Sequence, residues 1–401
     1  MIVATTPVPA HRSSSAFLPD QPADAAPVYL DFAATTPLLP VARSAMVAAM
    51  DADFGNASAL HTPGHAAAVA LEDARAAVAA LINARPTEII FTSGGSESNN
   101  TITETFRDQA IAVSSIEHSS LLESARHRAR RCDELAVDPQ GFVQPAADWS
   151  PYQLVSVMLA NNELGSIQPI ADLAQAVHAA GGRFHTDATQ ALGKIPVDVQ
   201  ALGVDYLTIS AHKIGGPIGI GALYVRTGAP FQSLILGGHQ EHRHRAGTSN
   251  VVLASGFAAA ARYVTEHRLP QHYERQIRPL RDQLRARILA EVPYSSINSP
   301  ATHCLPHLLN ASFQAAEGES IQLYLDAAGI AVSTGSACAA GDIQPSHVLM
   351  AARHDAEVAH SSIRFSLGPD TTPAEIDRVM SVLPGIVRRL QSISTIKIKE
   401  L

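Results

Sequence analysis

The chain has 401 residues, 46% hydrophobic and only 16% charged, which is ample to bury a large core and excludes a largely disordered or fibrous protein. Lys and Arg number 29 against 37 Asp and Glu, a net charge of −8, so nothing in the balance favours direct binding of nucleic acid or of an anionic membrane. No run of about 18 apolar residues marks a membrane span, and the three cysteines, Cys132, Cys304 and Cys338, are too few and too scattered for a disulfide framework or a zinc site.

Residues 1–27 are rich in Pro, Ala and Ser without a period, and are expected to be a disordered extension of a cytoplasmic protein. They lack the apolar stretch of a secretory signal. A single Arg12 beside Asp20 and Asp24 does not suit a transit peptide.

From Val28 on, strand and helix patterns alternate, the mark of an α/β fold with a mostly parallel sheet. Candidate strands are 88–92, 111–115, 154–160, 183–186, 204–209 and 221–225. Between them, 64–83 predicts a helix with Leu71, Val78, Leu81 and Ile82 on its core side. Residues 169–180 predict another, burying Ile170, Leu173 and Val177, with Pro169 at the start and Gly181 past the end. This part, 28–268, reads as one large domain. Residues 269–401 read as a smaller α+β domain with a charged helix over 279–291 and strands near 308–313 and 330–333. Its last helix opens on Thr372-Pro373 with Glu375 completing a capping box. That helix carries an apolar stripe of Ile376, Val379, Leu383, Ile386 and Leu390, and Pro384 is expected to kink it.

In open parallel sheets ligands bind beyond the carboxyl ends of the strands. Thr92 leads into Ser93-Gly94-Gly95-Ser96-Glu97-Ser98-Asn99-Asn100, residue 115 into Glu117-His118, and residue 160 into Asn161-Asn162-Glu163. Thr186 leads into Asp187-Ala188-Thr189-Gln190, and Ile209 into Ser210-Ala211-His212-Lys213. So many polar strand ends at one edge make a site. The glycine turn opens a helix and can present N–H groups to a phosphate, although glycine pairs shape turns elsewhere too. It is neither a Walker loop nor the dinucleotide fingerprint. A lysine at a strand's carboxyl end beside Ser210 and His212 suits a Schiff base with pyridoxal 5'-phosphate. Asp187, at the end of the preceding strand, is the carboxylate that the pyridinium nitrogen then requires.

These stretches resemble a known family, the class V aminotransferase-like cysteine desulfurases of the NifS/IscS type. The likeness also runs through residues 29–37, Gly55-Asn56-Ala57-Ser58, Arg245-Ala246-Gly247-Thr248, Gly335-Ser336-Ala337-Cys338 and Arg364-Phe365-Ser366-Leu367-Gly368. The resemblance implies a type I pyridoxal-phosphate fold, a mostly parallel seven-stranded sheet with helices on both faces and a smaller C-terminal α+β domain. It implies that Lys213 holds the cofactor, Asp187 faces its ring nitrogen, Gln190 and Asn162 bond the phenolic oxygen side, and His118 stacks on the ring and shuttles protons. Gly95, Ser96, Ser210 and His212 would hold the phosphate, and Thr248 would reach that of the neighbouring subunit in a homodimer. Arg364 would clamp the carboxylate of L-cysteine, with Asn56 nearby. Cys338, in a long-loop version of the motif, would take the substrate's sulfur as a persulfide and pass it to acceptor proteins.

The family usually carries Gln-Glu-Arg-Gly where this chain has Gln240-Glu241-His242-Arg243, which puts the conformation of that loop in question. His239, His242 and His244 match no metal-ligand spacing and read as a basic rim; no metal site is expected. Selenocysteine lyase activity, transamination and a non-catalytic sulfur-transfer scaffold are the alternative readings. A transaminase has no need of Cys338, and a scaffold none of the Lys213, Asp187 and His118 set.

Overall fold

The computed structural model describes residues 26–52, 54–334, 345–353, 356–396 and 398. The expected N-terminal extension, apart from Ala26 and Pro27, and the Cys338 segment lie outside the described residues.

A first short strand, β1 (Val28–Tyr29), precedes a seven-stranded sheet made of β2 (Ile89–Thr92), β3 (Ala110–Ser114), β4 (Arg131–Leu135), β5 (Leu154–Ser156), β6 (Arg183–Asp187), β7 (Tyr206–Ser210) and β8 (Gly221–Val225). Their spatial order is β2-β8-β7-β6-β5-β3-β4. The pairs from β4 through β7 are parallel, while β8 is antiparallel to both β7 and β2. Only β8 opposes the common direction, because the short link 211–220 contains no helix able to carry a parallel crossover. β2 thus points the same way as β7, and its carboxyl end reaches the same edge.

Alternate residues of each strand enter different cores, as the two-residue period of a strand requires. Ile111, Val113, Leu154, Tyr206 and Leu223 pack with Ile102, Phe106, Leu121 and Leu122 of the helices Gly95–Thr105 and Ser119–Arg128 and their ends. Ala110, Ala112, Val155, Leu207 and Tyr224 face the larger core, which the helices Thr62–Leu81, Ile170–Ala179 and Val251–Glu266 cover. The sheet is therefore layered on both faces, as the sequence leads one to expect.

Strand β4 was not among the candidates. Arg131-Cys132-Asp133-Glu134-Leu135 is polar because it forms the exposed edge and pairs only with β3, so it shows no apolar run. The candidate over 154–160 ends as a strand at Ser156. Its backbone nevertheless keeps bonding β6, from Val157 N–H to His185 O at 3.1 Å and from Leu159 N–H to Asp187 O at 2.9 Å.

The later part of the chain forms an antiparallel sheet of β9 (Ser295–Ile297), β10 (Leu308–Phe313) and, after the two-residue β11 (Ile330–Ala331), β12 (Ser362–Ser366), in the order β12-β10-β9. β11 pairs with β1, so the first described strand docks on this later layer. The larger core runs continuously into it, from Val28 to Leu390. The final helix, Pro373–Ile393, carries the expected capping box: Glu375 N–H donates to Thr372 Oγ1 at 3.3 Å and Thr372 N–H to Glu375 Oε2 at 2.7 Å. All five residues of its apolar stripe are buried, and the helix continues through Pro384. Among the described residues no helix is long and apolar enough to cross a membrane.

Candidate active site

The carboxyl ends of β2, β3, β5, β6 and β7 converge on a cavity of about 320 Å³ lined by Lys213, Asp187, His118, Gln190, Asn162 and Arg364, together with Gly95, Ser96, Ser210 and His212. Ten of the residues singled out from the sequence therefore meet in one place. Two do not. Asn56 was expected beside Arg364, but it is exposed in the loop between two helices, where its Oδ1 takes the N–H of Ser58 at 2.9 Å. It shares a separate groove with Thr248, which is also exposed. Cys338 lies outside the described residues.

Lys213 sits in the short turn Ala211–Lys213 that closes β7. Its Nζ donates to the carbonyls of Ala33 at 2.5 Å and Ala34 at 2.7 Å, which anchors it to the early segment 31–36. Asp187 ends β6, where Oδ1 accepts the Thr189 N–H and Oδ2 an N–H of Asn99, each at 2.9 Å. A carboxylate held by two donors is fixed in orientation. His118 caps the helix Ser119–Arg128, with Nδ1 accepting the Ser120 N–H at 3.1 Å. Burial, and then the charges of Lys213 and His347, outweigh the pull of Asp187 and lower the imidazole's pKa. His212 is driven down to about 4, by burial and then by Lys213 and Lys194. Both imidazoles are therefore neutral at pH 7.

One end of the cavity is the amino terminus of the helix Gly95–Thr105, whose first N–H groups have no partner within the helix. The Ser96 and Ser210 hydroxyls and the His212 ring are further hydrogen-bonding groups in the same lining. A Cβ at Gly221 would lie 2.8 Å from Gly94 Cα, so only glycine lets β8 approach the turn this closely. Thr189 Oγ1 and Arg364 Nε are buried without a partner among the described residues. Arg364 is otherwise fixed by Nη2 to Asp31 Oδ1 at 2.8 Å and Nη1 to the Asn162 carbonyl at 3.1 Å.

Residues missed from the sequence also contribute. Met158, Thr189 and Ser120 line the cavity, and buried Asn99 stands behind it. Thr189 and Asn99 lie within stretches already singled out, 187–190 and 93–100, and Ser120 lies two residues past His118, so proximity was an available signal for all three. Among the described residues, the histidines at 239–244 and their neighbours form no cluster able to hold a metal.

Comparison with known proteins agrees with this geometry. The class-V aminotransferase pattern matches residues 28–379. A cysteine desulfurase from Cereibacter sphaeroides is 43% identical over 383 residues, covering 92% of this chain and 97% of its own. A NifS-like protein of known structure aligns with a TM-score of 0.80 at 33% identity, over 92% of this chain and 99% of its own. The structure of SspA in complex with cysteine aligns with a TM-score of 0.73 at 30% identity, over 86% of this chain and 100% of its own. The chain belongs to the class-V aminotransferase family and, within it, to the cysteine desulfurases.

Proposed function

We propose that this protein is a pyridoxal-phosphate-dependent cysteine desulfurase that converts L-cysteine to L-alanine and collects the sulfur as a persulfide on Cys338. The observation that carries this reading is the convergence of Lys213, Asp187, His118 and Arg364 on one cavity. The donor set fits the cofactor: a helix amino terminus with hydroxyls for its phosphate, a carboxylate for its ring nitrogen and an amine for its aldehyde. Bound there, it supplies an electron sink for the substrate's α-carbon.

Arg364 holds the substrate carboxylate, for which its unpartnered Nε and its fixed fork are suited. Asp187 keeps a negative charge against the ring nitrogen, while Gln190 and Asn162 serve the phenolic oxygen side. His118, neutral and lining the cavity, is the residue that moves protons, and it presents its ring proton on Nε2, since Nδ1 is taken by the Ser120 N–H. The Cys338 thiolate attacks the substrate sulfur. The substrate's Cβ–S bond breaks, the sulfur stays on Cys338, and Cβ takes a proton to leave as the methyl group of alanine.

The same reading makes 28–268 the cofactor-binding unit and 269–401 the smaller unit that supplies Arg364 and Cys338. Thr248, with Asn56 in its groove, serves the cavity of a second copy in a homodimer, and cytoplasmic sulfur-acceptor proteins receive the persulfide. The test is Cys338→Ser in the cofactor-loaded protein. It should keep its visible absorbance yet form neither alanine nor sulfide from L-cysteine, and undiminished alanine formation would refute the mechanism.

A further inference from the structure

We infer that Asn99 is a positioning residue of this site, one amide that holds the Asp187 carboxylate and, through Ser120, fixes the proton arrangement of His118. The inference rests on the roles given above to Asp187 and His118.

Asn99 lies in the helix Gly95–Thr105 and is completely buried. Its Nδ2 is 2.9 Å from Asp187 Oδ2 and 3.0 Å from Ser120 Oγ, so each amide hydrogen has an acceptor. Ser120 Oγ in turn is 2.8 Å from His118 Nδ1, the nitrogen that already accepts the Ser120 N–H. Three elements meet in this chain of contacts: the end of β6, the phosphate-side helix and the helix that His118 caps.

The direction of the bonds is determined by the partners. An ionised carboxylate only accepts, so the amino group of Asn99, and not its oxygen, must face Asp187. The same amino group occupies a lone pair of Ser120 Oγ and turns the hydroxyl hydrogen toward His118 Nδ1. That nitrogen therefore stays an acceptor, and the ring proton sits on Nε2. Protonating Nδ1 would set its hydrogen against both the Ser120 N–H and its O–H.

The remaining atom of the amide shows that the amino group matters. Asn99 Oδ1 is buried with no partner among the described residues. A buried polar atom left unsatisfied costs free energy that an apolar side chain of similar shape would not. Packing alone would favour the apolar residue. Other charges also face His118, with Lys213 and His347 disfavouring its protonation and Asp187 favouring it; none of them depends on Asn99 for its place except Asp187.

The experiment uses the cofactor-loaded full chain and reads three quantities: the His118 titration by imidazole NMR, the cofactor dissociation constant, and the pH profile of kcat. In Asn99→Ala, Ser120 Oγ becomes free to accept from Nδ1, so the His118 titration and the acid limb of kcat should both move up by ~1 pH unit. The cofactor constant should weaken about tenfold, as Asp187 loses one of its two donors. Asn99→Asp keeps the shape but sets a second carboxyl against Asp187, and should weaken the cofactor further than alanine does. Ser120→Ala cuts the relay below Asn99 and should move the His118 titration while weakening the cofactor less than Asn99→Ala does, because Asp187 keeps both its donors. Ile102→Val, a core change on the same helix, should move neither. The inference is overturned if Asn99→Asp matches the unsubstituted protein, or if Asn99→Ala and Ile102→Val shift the readouts alike. Failure of the desulfurase reading would instead show as absence of alanine from the unsubstituted enzyme, whatever His118 does.

Discussion

Arg75 and Glu241 form a two-pronged ion pair in the interior, Nη1 to Oε2 at 2.6 Å and Nη2 to Oε1 at 3.1 Å. Arg75 Nη1 also donates to the Ile89 carbonyl at 2.8 Å, and Glu241 Oε2 accepts the Phe91 N–H at 2.9 Å. One carboxylate thus ties the helix Thr62–Leu81 and strand β2 to the loop leading to Thr248. Breaking a buried pair costs about 3–5 kcal/mol where the other charge is stranded, and less here, because Arg75 Nε keeps Glu72 Oε1 at 3.1 Å. Glu241→Gln should therefore lower the melting temperature by several degrees. An unchanged calorimetric transition would show that the pair is inert.

The residues that follow are strained. Glu241, His242 and Arg243 have φ of 45°, 53° and 72°, a left-handed run that costs an L-residue roughly 1–2 kcal/mol each. The family's usual Gln-Glu-Arg-Gly places glycine where this chain has Arg243, and the loop has kept the glycine conformation without the glycine. Arg243→Gly should stabilise the protein by about 1 kcal/mol, the released strain exceeding glycine's greater entropy loss. Urea denaturation midpoints of the two proteins decide it.

Arg364 is placed by Asp31 and the Asn162 carbonyl at a geometry suited to a fork and not to a point charge. Arg364→Lys is expected to raise KM for L-cysteine at least about tenfold, with visible cofactor absorbance retained. Loss of the absorbance instead would make Arg364 a cofactor-site residue.

Stability should also depend on pH through Glu163, which accepts the Ser346 hydroxyl at 2.5 Å and is pushed up to about 7 by burial. Between pH 4.5 and 7 the folded state then binds more protons than the unfolded one, so this group's contribution falls as pH rises and is fully lost above 7. The full slope is about 1.4 kcal/mol per pH unit. Glu117, raised to about 8 by burial, adds a slope of the same sign. Glu163→Gln should remove its own share and flatten the decline from pH 5 to 7; a variant as steep as the parent would contradict it.

The proposed homodimer makes a further prediction. Val47, Met50, Phe54 and Leu60 are exposed along and after the helix Pro40–Ala52, next to the Asn56–Thr248 groove. A charge there, Met50→Glu, should give a monomer by light scattering and weaken cofactor binding, because Thr248 no longer reaches the second cavity. A dimer of undiminished affinity would place the contact elsewhere.

Much of the site was legible because polar residues after apolar strands report a ligand edge. The strand–helix alternation already implied that those edges coincide. The resemblance to the desulfurases then attached roles to the residues. Boundaries and neighbours were less legible. β4 is polar since only one of its sides is paired, and the run over 154–160 stays apolar past the end of the strand because both sides remain buried.

Local chemistry, apolar periodicity and capping signals belong to nearby residues, so the sequence by itself determined the α/β class, the capped last helix and the pairing of Lys213 with Asp187 as candidates, while the resemblance added His118, Arg364 and Cys338. Direction and proximity depend on hydrogen bonds between residues far apart in the chain, and the tertiary structure alone decided them. It turned β8 against its neighbours and put Asn56 with Thr248 instead of Arg364. It also brought Asn99 to Asp187, 88 positions apart in the chain, a contact that exists only because the helix after β2 packs behind the end of β6.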